Sequence, residues 1–194
     1  MIDILKQFNW LDILLLVFFV RICVIASQKG LSVEIFKVLG TFFCIYLAFH
    51  YYSLFANAVY SLPFFKFMSF DLVDFACFLI LVFAGYFVFI LLRRLFGMLF
   101  KMEDTPGLFN KWTGFALGII RGVLSCSLLV YILFISGSGY LQQSTRNSMF
   151  AKPIFNIAAE TYHGIWNGLM SKMMPLEKIN KSVFAVEESY RTHK

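Results

Sequence analysis

The chain has 194 residues, of which 60% are apolar, 19% aromatic and only 14% charged, with a mean hydropathy of +0.76. A soluble domain carries about 25% charged residues, so a water-facing globule is excluded for want of polar surface. The formal charge of +6 would suit nucleic acid in a soluble protein. Here the bases collect at the ends of apolar runs, where they meet lipid headgroups, and no nucleic-acid partner is expected.

Four apolar segments stand out, at about 11–27, 33–55, 72–92 and 112–136. Each reaches or approaches the roughly 20 helical residues that cross a bilayer core. The first opens on Trp10 and Asp12 and contains Arg21. Two charges inside the run argue against a cleaved signal peptide, whose apolar stretch is normally uncharged. Asp12 is a candidate proton or cation site, although a carboxylate at a helix N-terminus is also favoured by the helix dipole. Arg21, nine residues later, lies on the opposite helix face and cannot pair with it. Its stem could snorkel to the turn at 28–32.

That turn carries Lys29 and Gly30, and the second segment follows with Ser32 as a candidate cap and Glu34 in the first turn. Glu34 is a candidate partner for Arg21 or, across the bundle, Arg121. Gly40 is a candidate packing residue. The Tyr51-Tyr52 pair and Trp112 sit near segment ends, as interfacial anchors do. Asp71 and Asp74 enter the third segment near an interface and are expected to be solvated.

The fourth segment carries Gly114, Gly118 and Gly122, spaced i, i+4 and i+8. Such small-residue stripes let helix backbones approach closely. Arg121 follows Gly118 by three residues, about 60° around the helix from the stripe. An arginine near the middle of a span costs at least ~2.5–3.5 kcal/mol on insertion scales, so it should face protein, water or a counter-ion. Glu34 is the leading partner: it lies near the side on which the fourth segment begins. Arg121 is about 13.5 Å deeper than Trp112, but its stem can reach back toward its own N-terminus. A water chain and Asp12 are the competing partners.

Beyond residue 136 the chain turns polar around Gly137 and Gly139, and Pro153 is well placed to open a helix. Between 153 and 173 Ile157, Ala158, Tyr162, Ile165, Trp166 and Leu169 recur at helical spacing. The pattern predicts an amphipathic helix lying in the membrane interface, with docking on the bundle as the alternative. The expected organisation is therefore all-α: a four-helix transmembrane module over 1–136, a linker and amphipathic interfacial helix over 137–174, and a polar, mobile tail over 175–194.

Cys23, Cys44, Cys77 and Cys126 fall one in each span with no metal-ligand spacing, and read as packing residues. His50, His163 and His193 are isolated, and no phosphate-binding loop is present, so no metal and no cofactor are expected.

Trp10-Leu11-Asp12, Gly30 eighteen residues after Asp12, Glu34 and Gly40 make one block. Lys111-Trp112 to Gly122 makes a second, and Ser148 with Pro153-Ile154-Phe155 a weaker third. In order and spacing these blocks resemble the colicin V production (CvpA-type) family of bacterial inner-membrane proteins, over most of residues 10–170. The resemblance implies a multi-pass inner-membrane protein linked to toxin production or export and to envelope homeostasis, with no known reaction. Arg21 departs from the family pattern and receives no role from it. Some family members carry a trypsin-like protease domain; these 194 residues hold none, and no Gly-x-Ser-x-Gly nucleophile setting, so no enzyme activity is expected.

Two function classes follow. One is an accessory or scaffold protein whose glycine-lined helix docks another inner-membrane protein or a second copy. The other is a small oligomeric transporter or channel with Arg121, Glu34 and Asp12 along its path. Lys29, Lys37, Arg93, Arg94, Lys101 and Lys111 belong to one membrane side, and Lys6, Lys66, Arg146 and Lys152 to the other. The positive-inside rule then places both termini outside the cytoplasm.

Overall fold

The computed structural model describes residues 9–99, 107–175 and 177–192. Lys6, Lys101, the acidic stretch at 103–104 and His193 lie outside the described residues. Four long helices form: α1 (Trp10–Lys29), α2 (Leu31–Tyr60), α3 (Phe70–Leu99) and α4 (Leu108–Ile135). All four are long and apolar enough to cross a membrane. A 3-10 turn (Pro63–Phe67) joins α2 to α3, where proline suits the first helical position. No strand occurs among the described residues.

The lateral order is α1, α4, α2, α3, with α1 packed on α4, and α2 on both α4 and α3. In α4, 61% of the spanning window is buried, against 17% in α3, so α4 is the central helix and α3 an outer one. Sequence explains the difference. The smooth glycine face of α4 admits α1 at close range, whereas α3 is apolar on every side and turns much of its surface outward.

The junction of α1 and α2 is a single residue, Gly30, at φ 78°, a backbone region that favours glycine. The sequence expectation that Ser32 caps the second helix therefore fails: Ser32 lies inside α2, and Gly30 holds the cap position. The first amide of α2, Leu31 N–H, instead donates to Asn110 Oδ1 of α4 at 2.5 Å. This bond also puts the α1–α2 turn and the start of α4 at one end of the bundle.

At the other end the chain continues as α5 (Gly139–Asn147), α6 (Ala151–Ile154) and α7 (Ile157–Ile165). A π-helical turn (Trp166–Met170) and the short α8 (Ser171–Met173) lead on to α9 (Lys181–Thr192). The segment 153–173 is thus several pieces rather than one helix. Its apolar stripe faces protein: Phe155, Ala158, Ala159, Tyr162 and Trp166 are buried in the main core. The stripe docks on α2 and α4, both of which contact α7, as in the alternative the sequence offered, while Leu169 and Met173 stay exposed. The stretch expected as a mobile tail forms α9, whose Val183, Glu187 and Tyr190 are buried. Tyr190 stacks on Phe155 with ring centroids 3.8 Å apart.

Aromatic side chains fill this end. Phe49 meets Phe78 at 5.2 Å, Tyr131 at 4.5 Å and Tyr162 at 5.8 Å between centroids, joining α2, α3, α4 and α7. Each fully buried aromatic of this kind removes about 150–250 Å² from solvent or lipid, so the cluster carries much of the packing. All four cysteines are buried and unpaired.

Candidate functional site

The glycine stripe of α4 is consumed within the chain. A Cβ on Gly114 would lie 2.8 Å from the Ala26 carbonyl oxygen, and one on Gly122 would lie 2.8 Å from the Phe19 ring. On Gly118 it would collide with Cβ of Ala26. The stripe that the sequence offered to a partner or second copy is therefore the seat of α1. Gly40 plays the same part between α2 and α3, where a Cβ would come 2.7 Å from the Phe89 ring. Gly30 lies against the Asn110 side chain, 2.7 Å from its amide nitrogen by the same test.

Arg121 turns from the stripe toward α2 and meets Glu34. Its Nε lies 3.0 Å from Glu34 Oε2 and its Nη2 donates to Oε1 at 3.4 Å. The shorter approach is an ion-pair contact without hydrogen-bond alignment, since neither atom gains a hydrogen-bond partner there. Lys37, one turn along α2, also donates to Glu34 Oε1. Glu34 is fully buried, so one carboxylate serves two cations, and Arg93 adds a third positive charge near Lys37. The cluster carries net positive charge around a single buried anion. Such an arrangement costs desolvation that only close pairing offsets.

Asp12 lies at the opposite end and joins no path with that pair. Its Oδ1 accepts from Ser148 Oγ at 2.5 Å and from Phe150 N–H at 2.9 Å, and its Oδ2 from Asn9 N–H at 2.9 Å. Asn9 Nδ2 in turn donates to the Ser144 carbonyl at 2.9 Å. The carboxylate pins the start of α1 to the α5–α6 junction. This gives Asp12 and Ser148, two positions of the sequence blocks, one shared purpose. Asp12→Ala should leave the Ser148 hydroxyl and the Phe150 amide without an acceptor, a loss of about 1–3 kcal/mol. The check is a lowered melting temperature in detergent with Ser148→Ala, which keeps the Phe150 bond, losing less; equal losses would contradict it.

Asp71 is exposed and lies against Gly137, while Asp74 is half-buried and its Oδ1 has no hydrogen-bond partner. The expectation that both are solvated therefore fails for Asp74. Arg21 lies on the outward face of α1, away from both Glu34 and Asp12.

Sequence reasoning missed the polar contacts that hold the C-terminal segment. His50 of α2 is buried, stacked between Tyr46 and Trp166 at 5.3 and 4.9 Å. Its Nδ1 is 3.0 Å from the Tyr162 hydroxyl and its Nε2 3.0 Å from Glu177 Oε2. Asn180 donates from its backbone to Tyr162 Oη at 3.1 Å and from Nδ2 to the Phe49 carbonyl at 2.7 Å. Burial raises the Tyr162 hydroxyl above its ordinary pKa, partly opposed by the Asn180 amide. The only signal in sequence was a lone histidine within an apolar run. Among the described residues no group of three metal-ligating side chains forms.

Four apolar spans, a central helix cleared for its neighbour by glycine and charges neutralised between helices define a multi-pass helical membrane protein. The sequence pattern of the Colicin V production protein family matches residues 11–159, and the chain belongs to that family. The match ends inside α7, so Glu177, Asn180 and α9 lie beyond it. No curated protein and no solved structure matches the chain.

Proposed function

We propose that the chain is an accessory or scaffold protein of the bacterial inner membrane. It would support toxin production or export and envelope homeostasis, without catalysis of its own and with other inner-membrane proteins and lipid as its partners. Family membership supports the setting. The observation that carries the accessory reading is the fate of the two acids, Glu34 and Asp12, on which a transport path would depend. Glu34 is taken up by Arg121 and Lys37, and Asp12 by Ser148, Phe150 and Asn9 at the other end. Groups paired this way hold helices together, and a cargo would have to displace these partners to bind them.

The test is deletion of the gene in its native host, with toxin export and entry of normally excluded detergents and dyes as readouts. Impaired export or a leaky envelope, restored by the wild-type gene, is the expected result. Normal export with an intact envelope overturns the proposal. For orientation, a C-terminal alkaline phosphatase fusion should be active and a C-terminal fluorescent-protein fusion dark. The reverse pair would place the termini in the cytoplasm.

A further inference from the structure

α1 is an outer helix, covered among the described residues mainly on its α4 side. Ile13, Val17, Val20 and Val24 are 58%, 59%, 49% and 50% exposed on the other side. Arg21 is exposed among them, in a shallow apolar surface it shares with Leu16, Val17, Val20, Val24 and Ile25. Among the described residues Arg21 forms no hydrogen bond or ion pair, and no carboxylate reaches it. The contrast with Arg121 is direct. Gly122 packs against Phe19 and Ile22, so the two arginines stand at one level of the bundle. One is neutralised inside and the other is presented outward.

Three occupants could meet that charge. A lipid headgroup is poorly placed. Arg21 lies eight residues, about 12 Å, from the Lys29 end of α1. Helical side chains lean toward their own N-terminus, which here is away from that nearer end. A second copy apposed across the same face would set Arg21 against Arg21. Among the described residues of the spans it would also bring no acid to this level, because Glu34 and Asp12 are fully buried and Asp71 and Asp74 enter α3 at the far end. A helix from another protein carrying Asp or Glu removes the charge penalty and covers the apolar surface around it.

We propose that the outward face of α1, centred on Arg21, docks a transmembrane helix of a different protein that bears a carboxylate level with Arg21. This rests on the accessory reading and specifies the chemistry of its partner.

The experiment places a photo-crosslinking residue at Val17 or Val24 of the full chain in native membranes, followed by mapping of the crosslinked peptide. The expected adduct is with a transmembrane peptide of another protein that contains Asp or Glu. Arg21→Leu should reduce that adduct about tenfold or more, the equivalent of ~1.4 kcal/mol, while Arg21→Lys retains most of it. Melting temperature and membrane level of Arg21→Leu should match wild type, since Arg21 holds nothing inside the chain. Replacing the partner's acid by arginine should restore the adduct to Arg21→Glu.

Adducts to lipid alone, to a second copy, or to a partner peptide with no acid overturn the proposal. So does an adduct indifferent to Arg21→Leu. The accessory reading is judged separately. If Arg21→Leu fully complements the deletion, the docking fails and that reading stands. If the deletion itself has no envelope or export phenotype, that reading fails whatever the crosslinks show.

Discussion

Glu34→Ala should all but remove the protein from the membrane fraction, and Arg121→Ala should do so to a lesser degree. Breaking a buried pair by removing one partner typically costs about 3–5 kcal/mol, because the survivor keeps its desolvation penalty without compensation. The two survivors differ here. After Arg121→Ala, Glu34 still has Lys37 on Oε1. After Glu34→Ala, Arg121 and Lys37 confront each other beside Arg93 with no anion between them. The expected order of damage is therefore Glu34→Ala first, followed by Arg121→Ala and Lys37→Ala, each of which leaves Glu34 one cation. The Glu34→Ala, Arg121→Ala double variant should recover part of the abundance. Immunoblots of membrane fractions and melting in detergent measure all four. Simple addition of the two single effects would show that the contact contributes nothing as a pair. A stable but inactive Arg121→Ala protein would instead assign the arginine to function, and favour the transport reading.

Gly118→Ala is expected to be the most damaging single methyl in the chain, and Ala26→Gly should relieve it. The new methyl would occupy the place of Cβ of Ala26 in α1. Neither atom can swing away, because each is fixed to a helix backbone. Overpacking of this kind costs about 1–3 kcal/mol, and here it must be met by separating two helices along their length. Removing the methyl from the other side returns the space. The suppressor is informative because Ala26→Gly alone should be mildly destabilising through lost packing. Rescue of the melting temperature by a second destabilising change identifies direct contact. If the double variant melts lower than either single one, α1 does not sit on the stripe.

The spans were legible because twenty consecutive apolar residues have few other uses. The pairing of Arg121 with Glu34 followed from their shared membrane side and the reach of an arginine stem toward its own N-terminus. The partner of the glycine stripe was not legible. Three glycines state that a backbone will come close, but not whether it belongs to this chain. The stripe at 153–173 hid its target for a related reason. A helical wheel separates apolar from polar faces, and both lipid and the Phe49–Tyr131 aromatics are apolar. His50 with Glu177, and Phe49 with Asn180, lie 127 and 131 residues apart, beyond any local pattern. Asp12 read as a dipole residue in its own helix, which it is, while its acceptor role toward Ser148 and Phe150 required the fold.

The position of α1 also sets a timetable for biogenesis. This helix leaves the ribosome well before α4, yet its resting place is α4, and its first turn is closed by Ser148 and Phe150. At synthesis rates of about 5–20 residues per second, roughly 6–25 s separate the emergence of Lys29 from that of Phe150. Through that interval α1 has no permanent neighbour beyond its short junction with α2, and Glu34 must wait for Arg121. The insertion machinery or a holding factor has to shelter an acid paired only with Lys37 and an uncovered helix until the fourth span arrives. Assembly of this bundle is thus completed from its middle, after translation of most of the chain.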